Sequence, residues 1–228
     1  MNVSSAAARI SLEARARQSL GASSDAIHEM VADAVDRHDI KGARIVDVGC
    51  GHGSLRGALQ HRFAEYQGLD AVRYERFPEE GEFTRVDLDD EHWPVVSAGA
   101  DLVAAIETIE HLENPWAFVR HLAALAAPGG WVILTTPNQL SLLSMMTFVA
   151  KRRFSAFQDA HYPAHKTALL ESDLHRIAEA SGLEVVELGY SLRGRIPLTS
   201  RHYPSAVARR WPRTLSDNVM IVARKARA

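Results

Sequence analysis

Two hydrophobic periods alternate along the chain. Helical spacing opens it, over Ser4 to Leu20 and then Asp25 to His38, with Ser23 and Ser24 as candidate caps for the second helix. After Gly42 the period changes. Ala43-Arg-Ile-Val-Asp-Val48 is a short β-branched run that stops at glycines, as a buried strand does. A helical stretch from Ser54 to Arg62 follows, then strands ending near Asp70, over Phe83 to Asp87, and over Asp101 to Ile106. Asn114 caps the next helix and Pro115 takes its first position. That helix is expected to bury Trp116, Val119, Leu122 and Leu125, and to stop at Pro128-Gly129-Gly130. Trp131 to Thr135 is the fifth strand. Ser172 to Ser181 reads as a helix closed by Gly182, Leu183 to Tyr190 as a strand, and Val219 to Arg224 as the last strand.

Strands separated by helices pair in parallel, so the pattern predicts one α/β domain over residues 1–228. Its sheet is doubly wound, mostly parallel and seven-stranded, with N-terminal helices over 1–40. Ligands of such sheets sit beyond the carboxyl ends of the strands. Two long interruptions, 138–168 and 191–216, are expected to shape the substrate site.

Composition adds boundaries. With 228 residues, 46% hydrophobic and 24% charged, the chain is long enough for one well-buried core. A formal charge of −2 argues against coating nucleic acid by charge alone, though a local basic patch stays open. One cysteine, Cys50, allows no internal disulfide. The first residues mix Arg and Glu with Ala rather than forming a continuous apolar leader, and the longest apolar run, Leu140 to Ala150, is too short to span a bilayer. The expectation is a cytoplasmic protein of unspecified oligomeric state.

The first strand meets the next helix through Asp47-Val-Gly49-Cys50-Gly51-His-Gly53. Glycines there let backbone approach a ligand and permit the positive φ of a sharp turn. A dinucleotide fingerprint would read G-x-G-x-x-G and place pyrophosphate on the helix N-terminus. This chain reads G-x-G-x-G, with an acid two residues before the first glycine. A carboxylate there repels a pyrophosphate and attracts a cation, such as the ammonium and sulfonium of S-adenosylmethionine.

The segment resembles motif I of the class I S-adenosylmethionine-dependent methyltransferases, whose fold is Rossmann-like, and the resemblance continues in order over Ala43 to Asn138. It implies that Asp47, Gly49, Cys50 and Gly51 surround the methionine portion of the cofactor. Asp70, 23 residues after Asp47, resembles the acid that bonds both ribose hydroxyls, with Ala71 beside it. Asp87 and Leu88 resemble the pair that holds adenine. Ile106 and Glu107 resemble the segment lining the cofactor after the fourth strand.

Glu107-Thr-Ile-Glu110-His111 is the stretch that bears on the reaction. In a helical turn, residues i, i+3 and i+4 share a face, so Glu107, Glu110 and His111 converge. Two carboxylates and an imidazole suit a divalent ion such as Mg²⁺, with His165 completing the set. His161 competes with His165 for that place. Without an ion, His111 or His165 serves as general base. The pattern resembles ubiquinone-biosynthesis O-methyltransferases and the bacterial methyltransferases of RNA 3′-end 2′-hydroxyls, while Tyr162-Pro163-Ala-His165 and the helix after it resemble, more loosely, those of bacterial sugar clusters. The expected function is O-methylation of a small-molecule or glycan-precursor hydroxyl. RNA 3′-end methylation and a non-catalytic cofactor-binding module are the alternatives; no appended RNA-binding module is expected.

The two interruptions have readings of their own. Leu140 to Phe154 is apolar and then basic: a lid, a membrane-touching segment or a helix packed on the core. Residues 191–216 hold six arginines and no acid, which suits an anionic substrate or a solvated loop.

Overall fold

The computed structural model describes residues 21–94 and 98–227. The expected helix over Ser4 to Leu20 lies outside them. In chain order the elements are α1 (Asp25–Arg37), β1 (Gly42–Val48), α2 (Ser54–Leu59), β2 (Phe63–Asp70), β3 (Glu82–Arg85), β4 (Ala100–Ala105) and a 3₁₀ turn, Ile109–His111. Then come α3 (Pro115–Leu125), β5 (Ala126–Pro137), α4 (Leu142–Lys151), a second 3₁₀ turn, α5 (Glu171–Ala180), β6 (Leu183–Tyr190), α6 (Ser205–Ala208) and β7 (Asn218–Lys225).

The strands form one seven-stranded sheet in the order β3-β2-β1-β4-β5-β7-β6. β1 to β5 are parallel, and β7 runs antiparallel between β5 and β6. From β1 the chain proceeds outward to β2 and β3, then returns to β4 and continues the other way. Strand order therefore reverses between β1 and β4, and the crevice of an open α/β sheet opens at such a point.

Central strands are buried on both faces, which is why they read as continuous apolar runs. Val46, Val48, Val103 and Ala105 point to one face, where Phe118, Leu122 and Ile177 from α3 and α5 cover them. Ile45, Leu102 and Ala104 point to the other, against Val31 of α1 and Leu55 of α2. Alternate residues of one strand thus feed opposite layers.

Several boundaries shift for local reasons. Ser24 stands at the N-cap of α1, but its side chain makes no cap bond; its carbonyl accepts from Ile27 N at 2.9 Å. Asn114 does cap α3, accepting from Ala117 N at 3.0 Å. Trp116 is 44% exposed, because Phe118, 0% exposed, takes the core-facing position. α3 ends at Leu125, ahead of Pro128: Ala126 already pairs with Ala100, and the slip between Ala100 and Leu102 absorbs the Pro-Gly-Gly bend. α2 stops at Leu59 rather than Arg62, and β3 at Arg85 rather than Asp87.

Phe118→Ala should cost about 3–5 kcal/mol in denaturant unfolding, while Trp116→Ala should stay within about 0.5 kcal/mol. Equal costs would show that the face of α3 is misassigned.

Candidate active site

At the carboxyl end of β1 the chain bends through Gly49, whose φ of +73° suits glycine. A Cβ there would lie 2.3 Å from Thr108 Oγ1. Gly51 has φ +50°, and a Cβ on it would meet the carbonyl oxygen of Gly21 at 2.2 Å. That oxygen also accepts from His52 N at 2.9 Å, so the segment before α1 is tied to the glycine turn.

Two acids face this bend. Asp47 is 2% exposed and accepts from Tyr66 Oη at 2.6 Å. Burial pushes its pKa up to about 7, the neighbouring Asp70 adds to the rise, and the Tyr66 bond opposes it. Asp70, at the end of β2, accepts from Gly51 N at 2.9 Å and Val72 N at 3.4 Å. Burial raises its pKa and those backbone bonds partly offset the rise. Neither acid forms an ion pair among the described residues.

Beyond β4, Glu107 adopts φ +49°, a left-handed conformation uncommon outside glycine. Its surroundings hold it there. Glu107 N donates to Thr135 Oγ1 at 3.0 Å, the Thr135 hydroxyl donates to Oε1 at 2.9 Å, and Asn218 Nδ2 donates to Oε2 at 2.7 Å. The 3₁₀ turn then presents Glu110, 1% exposed, which accepts from the Thr136 hydroxyl at 3.1 Å. Burial raises the pKa of both glutamates, and the charge on Glu107 raises that of Glu110 further.

The stretch 164–167 is zipped onto this turn. Lys166 N and Thr167 N donate to the Glu110 carbonyl at 2.8 and 3.0 Å, and Thr167 Oγ1 donates to Leu112 O at 2.6 Å. The His111 and His165 rings then meet edge to face, with centroids 4.8 Å apart. Nδ1 of His111 lies 2.8 Å from Ala164 O, and Nδ1 of His165 2.7 Å from Ala156 O. A carbonyl only accepts, so Nδ1 of His165 carries the hydrogen and its Nε2 the lone pair, whereas the His111 ring meets two carbonyls, those of Ala164 and Glu107. Burial lowers both pKa values, that of His165 to about 4 with the His111 ring contributing.

Ligand atoms of Glu110, His111 and His165 all lie within 4.8 Å of one another. Glu107 stands apart, because it precedes the turn instead of belonging to it and both its oxygens are engaged. His161 stacks on His165 with centroids 5.7 Å apart, on the outer side of the cluster.

One cavity of about 580 Å³ joins these groups. Every candidate cofactor residue lines it except Gly51, which acts on it through Asp70. Gly21 to Ser24, with Ile27 and His28, line it as well, although the helical pattern there carries no sign of that role.

The family model for the methyltransferase domain matches residues 15–188. Among similar proteins, a ubiquinone biosynthesis O-methyltransferase of Aeromonas salmonicida is 27% identical over 155 residues, 64% of this chain and 65% of that protein. One from Chromobacterium violaceum is 28% identical over 183 residues, 75% of this chain and 78% of that protein. A putative methyltransferase of Bacillus halodurans superposes with TM-score 0.62 at 17% identity, covering 87% of this chain and 99% of the other. The magnesium protoporphyrin IX methyltransferase of Synechocystis, solved with S-adenosylhomocysteine, gives 0.57 at 18%, covering 92% and 84%. These superpositions establish the fold, and the family model names it: the chain belongs to the methyltransferase-domain family and is an S-adenosylmethionine-dependent methyltransferase.

Proposed function

We propose that the chain methylates a hydroxyl of a small acceptor, with His111 and His165 handling the hydroxyl proton. The observation that carries this reading is the single cavity joining the strand-tip acids to the histidine pair. Its residues fit a cationic donor, because Asp47 and Asp70 are buried carboxyls whose charged form has no cationic partner among the described residues, and a bound cation would favour that form. Asp47, Gly49 and Cys50 would hold the methionine end, Asp70, beside Ala71, would accept from the ribose hydroxyls, and Asp87 and Leu88 would flank adenine. Ile106 and Glu107 line the cofactor towards the acceptor. When bound, S-adenosylmethionine supplies an electrophilic methyl carbon on its sulfonium.

The rest belongs to the chain. Methyl transfer needs the acceptor oxygen in line with that carbon and free of its proton. A phenol has a pKa of about 10 and needs help near neutrality. Nε2 of His165, or the His111 ring beside it, is neutral because burial disfavours the charged form, and is placed to take the proton. The fixed Nδ1 bonds orient both rings. The bacterial relatives named as ubiquinone biosynthesis O-methyltransferases support oxygen as the accepting atom.

A second reading rests on the 4.8 Å convergence of Glu110, His111 and His165: they would hold a divalent ion such as Mg²⁺, which would supply Lewis acidity to a bound hydroxyl. Glu107, the fourth expected ligand, is left out of this set. Transfer of labelled methyl to a panel of catechols, sugars and RNA 3′ ends tests the acceptor class. Labelling of small hydroxylated acceptors is expected, and labelling of RNA alone overturns the reading.

Asp70→Ala should weaken cofactor binding about tenfold or more in equilibrium dialysis, since charge-assisted bonds contribute about 1.5–3 kcal/mol. Unchanged affinity would reject the ribose assignment. A bound cation favours ionised Asp47, so affinity should be full above pH 7 and fall as pH drops through about 7. Asp47→Asn should flatten that profile; an identical profile in the variant rejects the role. His165→Ala should lower turnover about 10²-fold while cofactor affinity persists. If the ion is used, chelator abolishes activity and a divalent ion restores it; full activity in chelator leaves proton transfer to the histidines alone.

A further inference from the structure

Helix α4 is built inside out. Its sequence, Leu-Leu-Ser-Met-Met-Thr-Phe-Val-Ala-Lys, is apolar enough for a core helix, yet the one residue it buries is Ser144. Met145 is 40% exposed, Met146 46%, Phe148 37% and Val149 70%. Met145, Met146 and Val149 follow helical spacing and share one face with Leu142. An amphipathic helix of a soluble domain turns that face inward, and a contiguous exposed apolar patch marks a surface that meets something.

What it meets is indicated by charge. Lys151, Arg152 and Arg153 close the helix, and 138–153 contains no Asp or Glu. The neighbouring stretch is the arginine-rich one: Leu142 N donates to Thr214 O at 2.7 Å, and Thr214 N to Trp211 O at 3.2 Å. Trp211 is 58% exposed and follows the exposed Arg209 and Arg210. Arg153 pairs with Asp159 and Arg213 with Glu171, whereas Arg152, Arg209 and Arg210 have no acidic partner among the described residues. On a chain of net charge −2, this is a local cationic patch around exposed hydrophobic side chains.

We propose that α4 and the arginine-rich stretch beside it form a docking surface for an anionic lipid bilayer. Exposed methionine, phenylalanine and valine on a helix flanked by Lys and Arg suit the interface between headgroups and acyl chains. Tryptophan favours that same depth. An RNA partner would use the arginines but gives no reason to expose the apolar face of α4. No described helix is long and apolar enough to cross a membrane, so the attachment is peripheral. The chain leaving α4 returns at residues 160–166 to line the cavity, so docking brings the acceptor end of the site towards the lipid. The surface stands on exposure and charge, independently of which acceptor is methylated.

The test is co-sedimentation of the full chain with phosphatidylcholine vesicles, with and without phosphatidylglycerol. Binding is expected to the anionic vesicles and to weaken with salt. Arg209→Glu combined with Arg210→Glu should lower partitioning about tenfold or more. Met146→Gln combined with Val149→Asp should lower it by a similar factor. Both variants should bind S-adenosylhomocysteine as the parent does, which shows that they are folded. Absence of vesicle binding by the parent overturns the proposal, as does binding that Val149→Asp and Met146→Gln leave unchanged. A dimer in light scattering that dissociates in the Val149→Asp variant, without vesicle binding, would assign the face to a second copy and also overturn it. Binding of single-stranded RNA that needs the arginines but not Val149, without vesicle binding, would do the same.

Discussion

Asp47 and Asp70 stand at the tips of adjacent strands, out of water, with no described cation beside them. Desolvating a carboxylate is costly, and the cost falls on its charged form. The protein offsets part of it with the Tyr66 hydroxyl and the amides of Gly51 and Val72. What remains for Asp47 is a folded pKa of about 7 against an unfolded value of about 3.9. Between those values the folded chain holds a proton that the unfolded chain has released. This group's contribution to the stability of the ligand-free fold therefore declines as pH rises from about 4 to about 7. A cationic ligand reverses the balance, and the sheet supplies the crevice to receive one where its strand order turns.

Glu107 ties that cofactor end to the reacting end. Its left-handed backbone is held by Thr135 of β5 and Asn218 of β7, and it turns the chain so that Glu110 and His111 project into the same cavity. The carbonyl of Glu110 then fixes the strip that carries His165. Position at the histidines thus depends on strands far apart in sequence, which the antiparallel insertion of β7 beside β5 brings together.

Much of this was legible before any coordinates. The β-branched runs located all seven strands, and the glycine turn, Asp70 and the E-x-x-E-H run located the cavity, because local periodicity and turn chemistry are written in consecutive residues. The supports were not. Asn218 reaches Glu107 across 111 positions, and Tyr66 reaches Asp47 only through the register of β1 and β2. No sequence period announces such contacts. The segment from Gly21 to His28 read as an ordinary helix start, and its place in the cavity follows from the Gly21 carbonyl lying against Gly51. Trp116 was misplaced, and the three readings of α4 stayed open, for one shared reason: hydrophobicity says that a side chain gains from leaving water, not which neighbour will cover it. Phe118 displaced Trp116 from the core, and the apolar face of α4 has no cover within the described fold.

Calorimetric titration of the unmodified chain with S-adenosylmethionine, with S-adenosylhomocysteine and with NAD goes to the centre of this account. Saturable heat from the first two at one site per chain, with none from the dinucleotide, is the predicted result. Absence of heat from both adenosyl ligands, or tighter binding of NAD, would contradict a strand-tip pocket shaped for a positively charged methyl donor.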